Sequence, residues 1–190
     1  RMAIPASARS SLWLVATIVV NIVHVECLSK DDVFLFGPTV DQTLALDNDV
    51  SSSELQLSTP ILFYGKEYST LYVNDNGLLS FLTEVPRFFS AQFPLSYPII
   101  APLYCDVDTR AAGRVFHRET QDQDLLRRFD TLVSDNFALG ARFRTESLFI
   151  ATWDGVGYFD QKADKLPNAY SWCCHITGEG VRHTAQPTFR

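Results

Sequence analysis

Histidine, cysteine and methionine are scarce in this sequence, with four, four and one of them among 190 residues. A basic excess is also lacking, because 16 Lys and Arg stand against 22 Asp and Glu, which gives a net charge of −6 at pH 7. Proteins that bind nucleic acids replace phosphate counterions with basic side chains, so this charge balance argues against nucleic acid as a partner. Hydrophobic residues at 46% and charged residues at 20% are typical of a globular domain.

Motifs for catalysis or cofactor binding are also lacking. The nine glycines are scattered and form neither a phosphate-binding loop nor a Gly-x-Ser-x-Gly elbow. Triads of the Ser/His/Asp or Cys/His type need a histidine, and beyond residue 27 the sequence offers only His117, His175 and His183. His117 lies in an alternating segment, where a strand-surface position is expected, and the other two follow no pattern. The sequence therefore predicts a protein that is not an enzyme and has no cofactor.

The longest apolar run lies near the N-terminus and predicts a secretory signal peptide. It covers residues 12–23, is interrupted only by Asn21, and is shorter than the roughly 20 residues that a bilayer core requires. Val25 and Cys27 place small side chains at the −3 and −1 positions of a cleavage site, and polar residues follow. A buried helix or a signal anchor is the alternative. We expect residues 1–27 to be removed and the mature chain to carry no membrane span.

Three cysteines remain after residue 27, namely Cys105, Cys173 and Cys174. Adjacent cysteines rarely meet the geometry of a disulfide, so Cys173 and Cys174 are not expected to pair with each other. A bridge from Cys105 to either of them stays open, and it would leave one thiol over. A metal site at Cys173-Cys174-His175 is not expected, because adjacent residues seldom point at one ion.

Short alternating or apolar segments predict mainly β structure between residues 33 and 153. The polar stretch of Asn74, Asp75, Asn76 and Gly77 separates two of these segments and predicts a hairpin turn, because Asn, Asp and Gly tolerate positive φ. The segment at 147–153 is apolar on both faces and is predicted to be central. The predicted strands are 33–36, 54–58, 60–64, 69–73, 78–82, 99–104, 114–118 and 147–153.

One amphipathic helix is predicted from about residue 121 to residue 136. Thr120 is the expected cap, and an apolar stripe follows at helical spacing. The stripe consists of Leu125, Leu126, Phe129, Leu132 and Val133. After Trp172 the alternation ends, so we expect a divergent tail at 173–190 that leaves the central strand without cover. The predicted fold is α+β, with a mainly antiparallel β sandwich-like core and one helix.

Asp106 and Asp108 are the candidate functional carboxylates. Residues i and i+2 at the end of a strand project from the same face, which suits acid–base chemistry or Ca²⁺ binding. Asn74, Asp75 and Asn76 would add oxygen ligands if the hairpin turn lies nearby. The alternative is that both aspartates only hold a turn by local hydrogen bonds, and the missing calcium-loop spacing favours it.

Four aromatic residues in a proline-rich connection offer a second candidate, a patch that binds a partner. Such residues more often fill a core, and we expect them to do so here. They are Phe88, Phe89, Phe93 and Tyr97.

Five motifs occur in order over residues 34 to about 160. They are residues 34–37 (Phe-Leu-Phe-Gly), 71–81 around an Asn-Gly hairpin, 100–109 ending in Asp-x-Asp, 113–119 with His117, and 149–156 with Ala-Thr-Trp-x-x-Val. Together they resemble the N-terminal nidogen-type (NIDO) domain family, in which Tyr is usual at the position of His117. The resemblance implies a domain over residues 28–172 that is incomplete at its C-terminal end.

The same resemblance implies a secreted, non-enzymatic protein of the extracellular matrix or basement membrane. Its role would be cell–matrix adhesion or matrix assembly by binding other proteins. The implied partners are matrix proteins such as laminin and collagen, although the family's contacts with both belong largely to other domains. Two alternatives stay open from the residues alone: a small Ca²⁺-binding adhesion domain, and a secreted hydrolase that uses Asp106 and Asp108.

Overall fold

The computed structural model describes residues 34–90, 92, 94–102, 104–136 and 144–162, and the backbone of two further strands at 172–176 and 184–187. The predicted signal peptide at 1–27, the side chains of Cys173 and Cys174, and Phe93 lie outside the described residues. The strands are β1 Gln42–Thr43, β2 Leu55–Phe63, β3 Lys66–Asn74, β4 Leu78–Ser80, β5 Ile99–Ile100, β6 Val107–Asp108, β7 Arg114–Thr120, β8 Leu148–Asp154, β9 Gly157–Tyr158, β10 Trp172–Ile176 and β11 Thr184–Pro187.

Two larger sheets and one small sheet are formed by antiparallel pairing of these strands. The order is β1-β7-β8-β10-β11 in the five-stranded sheet, β2-β3-β4-β5 in the four-stranded sheet, and β6-β9 in the small one. Buried side chains from both larger sheets, among them Leu71, Val73, Val115 and Trp153, form one shared core. The sandwich-like arrangement of antiparallel sheets that the sequence predicted is therefore confirmed.

β8 is buried on both faces, as its continuous apolar pattern predicted. Phe149, Ala151 and Trp153 face the core between the two sheets. Leu148 and Ile150, which alternate with them, join a second cluster beneath the helix. Period-two alternation sends successive side chains to opposite faces, so a strand covered on both sides reads as an unbroken apolar run.

The predicted amphipathic helix is confirmed as α1, which covers Gln123–Asn136. The apolar stripe packs on the outer face of the five-stranded sheet, where Leu126, Phe129 and Val133 are buried together with Phe34. The cap differs from the prediction, because the Asp122 carboxylate, rather than Thr120, accepts the N–H groups of residues 124 and 125 at 2.9 and 3.0 Å. In the described part of the chain no helix has the length and apolar character to cross a membrane.

β2 is one strand where the sequence predicted two. The register of its pairing with β3 shifts between Gln56 and Ile61, which marks an irregularity around Pro60. Proline lacks the N–H that a regular ladder requires, so it lies where pairing is interrupted. The Glu119 carboxylate of β7 accepts hydrogen bonds from the Ser58 N–H at 2.9 Å and from the Ser58 hydroxyl at 2.6 Å, which satisfies the backbone at this irregular position.

The chain after Trp172 also differs from the expectation, because it returns to the sheet. β10 pairs antiparallel with β8 along its whole length, and β11 pairs with β10. The edge of β8 that we expected to be uncovered is therefore paired. Backbone hydrogen bonds form with any side chain except proline at the donor, and residues 172–187 have no alternating pattern that would have revealed the pairing. The predicted boundary between the domain and a tail at residue 173 stays a prediction.

Candidate functional site

The hairpin between β3 and β4 turns at three residues that are fully buried. Asn74 pairs with Leu78 across the hairpin, and Asp75, Asn76 and Gly77 form the turn between them. Gly77 has a φ of 79°, a value that glycine adopts without strain. Asn74, Asp75 and Asn76 are each 0% exposed, whereas turn residues ordinarily face water. This turn is therefore packed inside the domain.

Asn74 organises the chain on both sides of the turn. Its side-chain oxygen accepts hydrogen bonds from the Ser51 hydroxyl at 2.5 Å and from the Val85 N–H at 2.8 Å. Its amide group donates to the Leu78 carbonyl and to the Ser80 Oγ, both at 3.2 Å. The hydrogen bond with Val85 holds the chain that follows β4 against the turn.

Asn76 joins the turn to the strand that carries the candidate aspartates. Its Oδ1 accepts the Val107 N–H at 2.8 Å, and its backbone carbonyl accepts the Cys105 N–H at 3.3 Å. Its Nδ2 donates to the Pro86 carbonyl at 2.7 Å and to Asp49 Oδ1 at 3.3 Å. The structure thus brings the turn and β6 together, and it uses the amide oxygen of Asn76 for a backbone hydrogen bond.

Asp75 is an incompletely paired carboxylate in this buried turn. Its Oδ2 accepts the Val50 N–H at 3.0 Å, whereas the buried Oδ1 has no hydrogen-bond partner among the residues that the structure describes. Burial raises the pKa of Asp75 to about 7, and the nearby charge of Asp49 acts in the same direction. A carboxyl group in this state gains or loses its proton near neutral pH.

Asp108 is held at all of its acceptor positions. Oδ1 accepts the backbone N–H and the Nε of Arg110, at 3.0 and 2.9 Å. Oδ2 accepts Arg110 Nη2 at 2.6 Å and the Gln161 N–H at 3.0 Å. Hydrogen bonds from the Arg110 guanidinium hold the pKa of Asp108 at about 2. A cation or a substrate at this carboxylate would have to displace Arg110.

Asp106 differs from Asp108 in its environment. Its backbone carbonyl accepts the Phe159 N–H at 3.0 Å. Burial raises the pKa of Asp106, and the negative charges of Asp49 and Asp108 add to the rise. Among the described residues no group of three or more His, Cys, Asp or Glu side chains is placed to hold a metal ion.

The other titratable residues singled out in the sequence lie in apolar surroundings. His117 is buried at 5% exposure, where we expected a strand surface, and it stacks on Phe149 with ring centroids 6.3 Å apart. Desolvation lowers the pKa of His117. Burial also disfavours the charged form of Cys105 and raises the pKa of its thiol to about 11, which makes the thiol a poor nucleophile at neutral pH.

An open groove of about 910 Å³ lies where the β2–β3 hairpin faces the chain that enters β5. Tyr64, Lys66 and Tyr68 line one side, and the other side is formed by residues 94–98 with Tyr97 among them. Tyr68 also packs on the buried ring of Phe81, with centroids 4.8 Å apart. The groove is therefore anchored to the core and open to solvent.

Tyr64 is the most exposed large hydrophobic residue at this groove, at 89%. It has a φ of 48°, and it forms with Gly65 the two-residue loop between β2 and β3. Both positions of such a turn favour Asn or Gly, and a bulky residue there is strained. The sequence pattern placed Tyr64 at the end of a strand. The Tyr-Gly pair is not a typical turn sequence, so the exposure of Tyr64 in a turn was not predicted.

The predicted aromatic core in the proline-rich connection is wrong for its described members. Phe89 is 39% exposed, and Phe88 and Tyr97 are half-buried. Phe88 and Phe89 surround the ring of Tyr104, with centroids 5.0 and 6.2 Å away, while Tyr97 lines the groove. Proline breaks the regular pairing of this connection, so its rings are not carried into the space between the sheets.

Comparisons of the sequence with known proteins find a family match and several relatives. The family model described as a nidogen-like domain matches residues 69–175. The chain is 40% identical to nidogen of Drosophila melanogaster over 62% of its length, 35% identical to alpha-tectorin of Mus musculus over 65%, and 34% identical to nidogen-2 of Mus musculus over 73%.

The matched part spans only 9%, 6% and 10% of these three relatives' own lengths. No solved structure matches the chain. The family model covers more than half of the 190 residues, from the middle of β3 to the end of β10. The chain belongs to the family of nidogen-like domains.

Proposed function

We propose that this chain is a secreted module of the extracellular matrix or basement membrane, and that it mediates cell–matrix adhesion or matrix assembly by binding other proteins. The observation that carries the proposal is the groove beside Tyr64, a surface that displays aromatic side chains on a domain of the nidogen-like family. Tyrosine supplies a large contact area at low entropic cost, which suits protein recognition.

The environment of Asp108 supports binding rather than catalysis. Asp108 is engaged by Arg110 and two backbone amides, and its low pKa suits a permanent ion pair rather than proton transfer. A hydrolase would need a carboxyl group whose pKa lies near the working pH and which can reach a substrate. Asp75 has such a pKa but is 0% exposed.

The proposed partners are matrix proteins of the laminin and collagen type, and a solid-phase assay tests this. The 190-residue chain is added to wells coated with reconstituted basement-membrane extract, laminin, type IV collagen or serum albumin. We expect saturable binding to the extract and none to albumin. The wells coated with laminin and with type IV collagen show whether the chain binds either protein directly. Equal signals on the extract and on albumin would contradict the proposal.

Secretion is proposed on the apolar run at 12–23, and a separate experiment tests it. Animal cells that express the chain should release it into the medium with an N-terminus near Leu28. N-terminal sequencing of the medium and of the cell extract distinguishes cleavage from retention. Recovery of an intact N-terminus in the cytosol would contradict secretion.

A further inference from the structure

In the four-stranded sheet β4 is too short to cover the first half of β3. β3 has nine residues, whereas β4 has three and pairs only with residues 72–74 of β3. Residues 66–68 and 70 pair with β2 on one side, with a register shift at residue 69, and no strand in the described part of the chain pairs with residues 66–70 on the other side. Although β3 is an inner strand of the sheet, residues 66–70 present an open edge on the side of β4.

The open edge faces the residues that lead into β5. The hydrogen bonds of Asn74, Asn76 and Ser80 to residues 83–86 turn the chain out of the sheet after β4. β5 nevertheless keeps the register that β4 defines, with Ser80 opposite Ile99. The departure of β4 leaves a slot beside residues 66–70 of β3, at the position that one further strand, about 4.8 Å from β3 in a regular sheet, would occupy. The groove described above lies in this slot, because Lys66 and Tyr68 line one side of it and residues 94–98 line the other.

The side chains of the slot define the segment that it fits. Lys66 and Tyr68 are two residues apart on β3 and so point to the same face. Lys66 is also the one charged residue among those that line the groove. A segment that continues the path of β4 would run antiparallel to β3. One side chain of that segment would lie beside Tyr68, and the side chain two positions later would lie beside Lys66.

We propose that this slot binds an extended segment of a partner protein as an added strand, with an apolar or aromatic residue followed two positions later by an acidic one. The apolar side chain lies between Tyr68 and Tyr97, and the carboxylate lies beside Lys66. The backbone of β3 at 66–70 supplies the hydrogen bonds, as in other complexes formed by strand addition. The inference rests on the proposed function and names the chemistry of its partner.

The probe is a synthetic hexapeptide, acetyl-Thr-Val-Phe-Thr-Glu-Thr-amide, added to the 190-residue chain. Binding is measured by fluorescence anisotropy, and amide exchange is followed residue by residue by NMR. We expect binding that slows exchange of backbone amides within 66–70. Lys66→Glu should weaken binding at least ten-fold, and a peptide with Lys in place of Glu should recover that loss.

Several outcomes would overturn the inference. The first two are that the probe does not bind, or that it binds without slowing amide exchange at 66–70. The third is that a probe N-methylated at alternate residues binds equally well. The fourth is that neither Lys66→Glu nor the peptide with Lys in place of Glu changes the affinity. Slow exchange at 66–70 without the peptide, together with dimers in sedimentation, would show that a second copy fills the slot.

The matrix assay separates this inference from the proposed function. If wild type and Lys66→Glu bind the basement-membrane extract equally, the slot is not the binding site and the proposed function stands. If wild type fails to bind the extract, the proposed function fails whatever the peptide does.

Discussion

The indole N–H of Trp153 donates a hydrogen bond of 3.2 Å to the backbone carbonyl of Asn74. Both residues are 0% exposed, and they belong to different sheets, because Trp153 lies in β8 and Asn74 ends β3. This contact connects the core of the five-stranded sheet to the hairpin turn, so the position of the turn depends on the packing between the two sheets.

Trp153→Phe should lower the free energy of unfolding by about 1–3 kcal/mol, because it removes the hydrogen bond and part of a buried ring. Urea denaturation followed by circular dichroism measures the change. Phe159→Leu is the control, since Phe159 is 59% exposed and should shift stability by less than about 0.5 kcal/mol. Equal stability of wild type and Trp153→Phe would show that the contact does not join the sheets in solution.

Asp75 should make the chain more stable as the pH falls below neutral. Its pKa in the folded state is about 7, above its ordinary value of 3.8, so the stabilisation that it contributes is fully present below pH 3.8 and is lost as pH rises through 7. The groups that face it include Asp49 and the Cys105 thiol, whose own pKa is raised in the presence of Asp75.

The comparison of wild type with Asp75→Asn isolates this effect from that of other groups, such as His117. Between pH 7 and pH 5 the wild type should gain about 2–3 kcal/mol relative to the variant, as expected for a group that titrates in only one of the two proteins. Urea denaturation at each pH measures it. Parallel pH profiles for the two proteins would mean that Asp75 ionises normally.

Asp108 and Asp106 should respond differently to the same substitution. Asp108→Asn should lower the free energy of unfolding at pH 7 by about 2–3 kcal/mol, because it breaks the charged hydrogen bonds with Arg110. The stabilisation by Asp108 is present above its ordinary pKa of 3.8 and is lost as pH falls through about 2.

Asp106→Asn is the matched control, and it should be neutral or stabilising, because burial and neighbouring negative charge already raise the pKa of Asp106. Thermal melts with and without 5 mM CaCl₂ complete the test. A calcium-dependent rise in Tm of the wild type that both substitutions abolish would favour a calcium site over the structural role.

Gly77→Val should destabilise the fold by about 1–3 kcal/mol, because a β-branched residue is strained at the observed φ of 79°. Gly77→Asn, which tolerates positive φ, should retain most of the stability. Differential scanning calorimetry of the two variants and the wild type provides the measurement. A valine variant as stable as the asparagine variant would show that the turn adopts another conformation.

Local patterns in the sequence predicted the helix and the hairpin turn well. The i, i+3, i+4 stripe of α1 is a property of one segment, and so is the tolerance of Gly77 for positive φ. Asn76, for which positive φ was also expected, does not adopt it. The burial of the turn was not predictable in this way. It depends on contacts such as Asn76 with Val107, which join residues that are 31 positions apart.

The candidate site shows the same division. The sequence placed Asp106 and Asp108 at the end of a strand, but it did not show that Arg110 and the Gln161 N–H occupy Asp108. The groove was missed for a different reason. It results from the early departure of β4 from the sheet, and hydrogen bonds of the buried side chains of Asn74 and Ser80 cause that departure.

The arrangement of the two larger sheets along the chain has a consequence for synthesis. The four-stranded sheet is built from consecutive strands between residues 55 and 100, so its pairings are local and can form early, as each hairpin emerges from the ribosome. The five-stranded sheet pairs β1 with β7 and needs β10 to complete β8. Until β10 is in place, β8 lacks one neighbour in the sheet, and its open edge is available for wrong pairing.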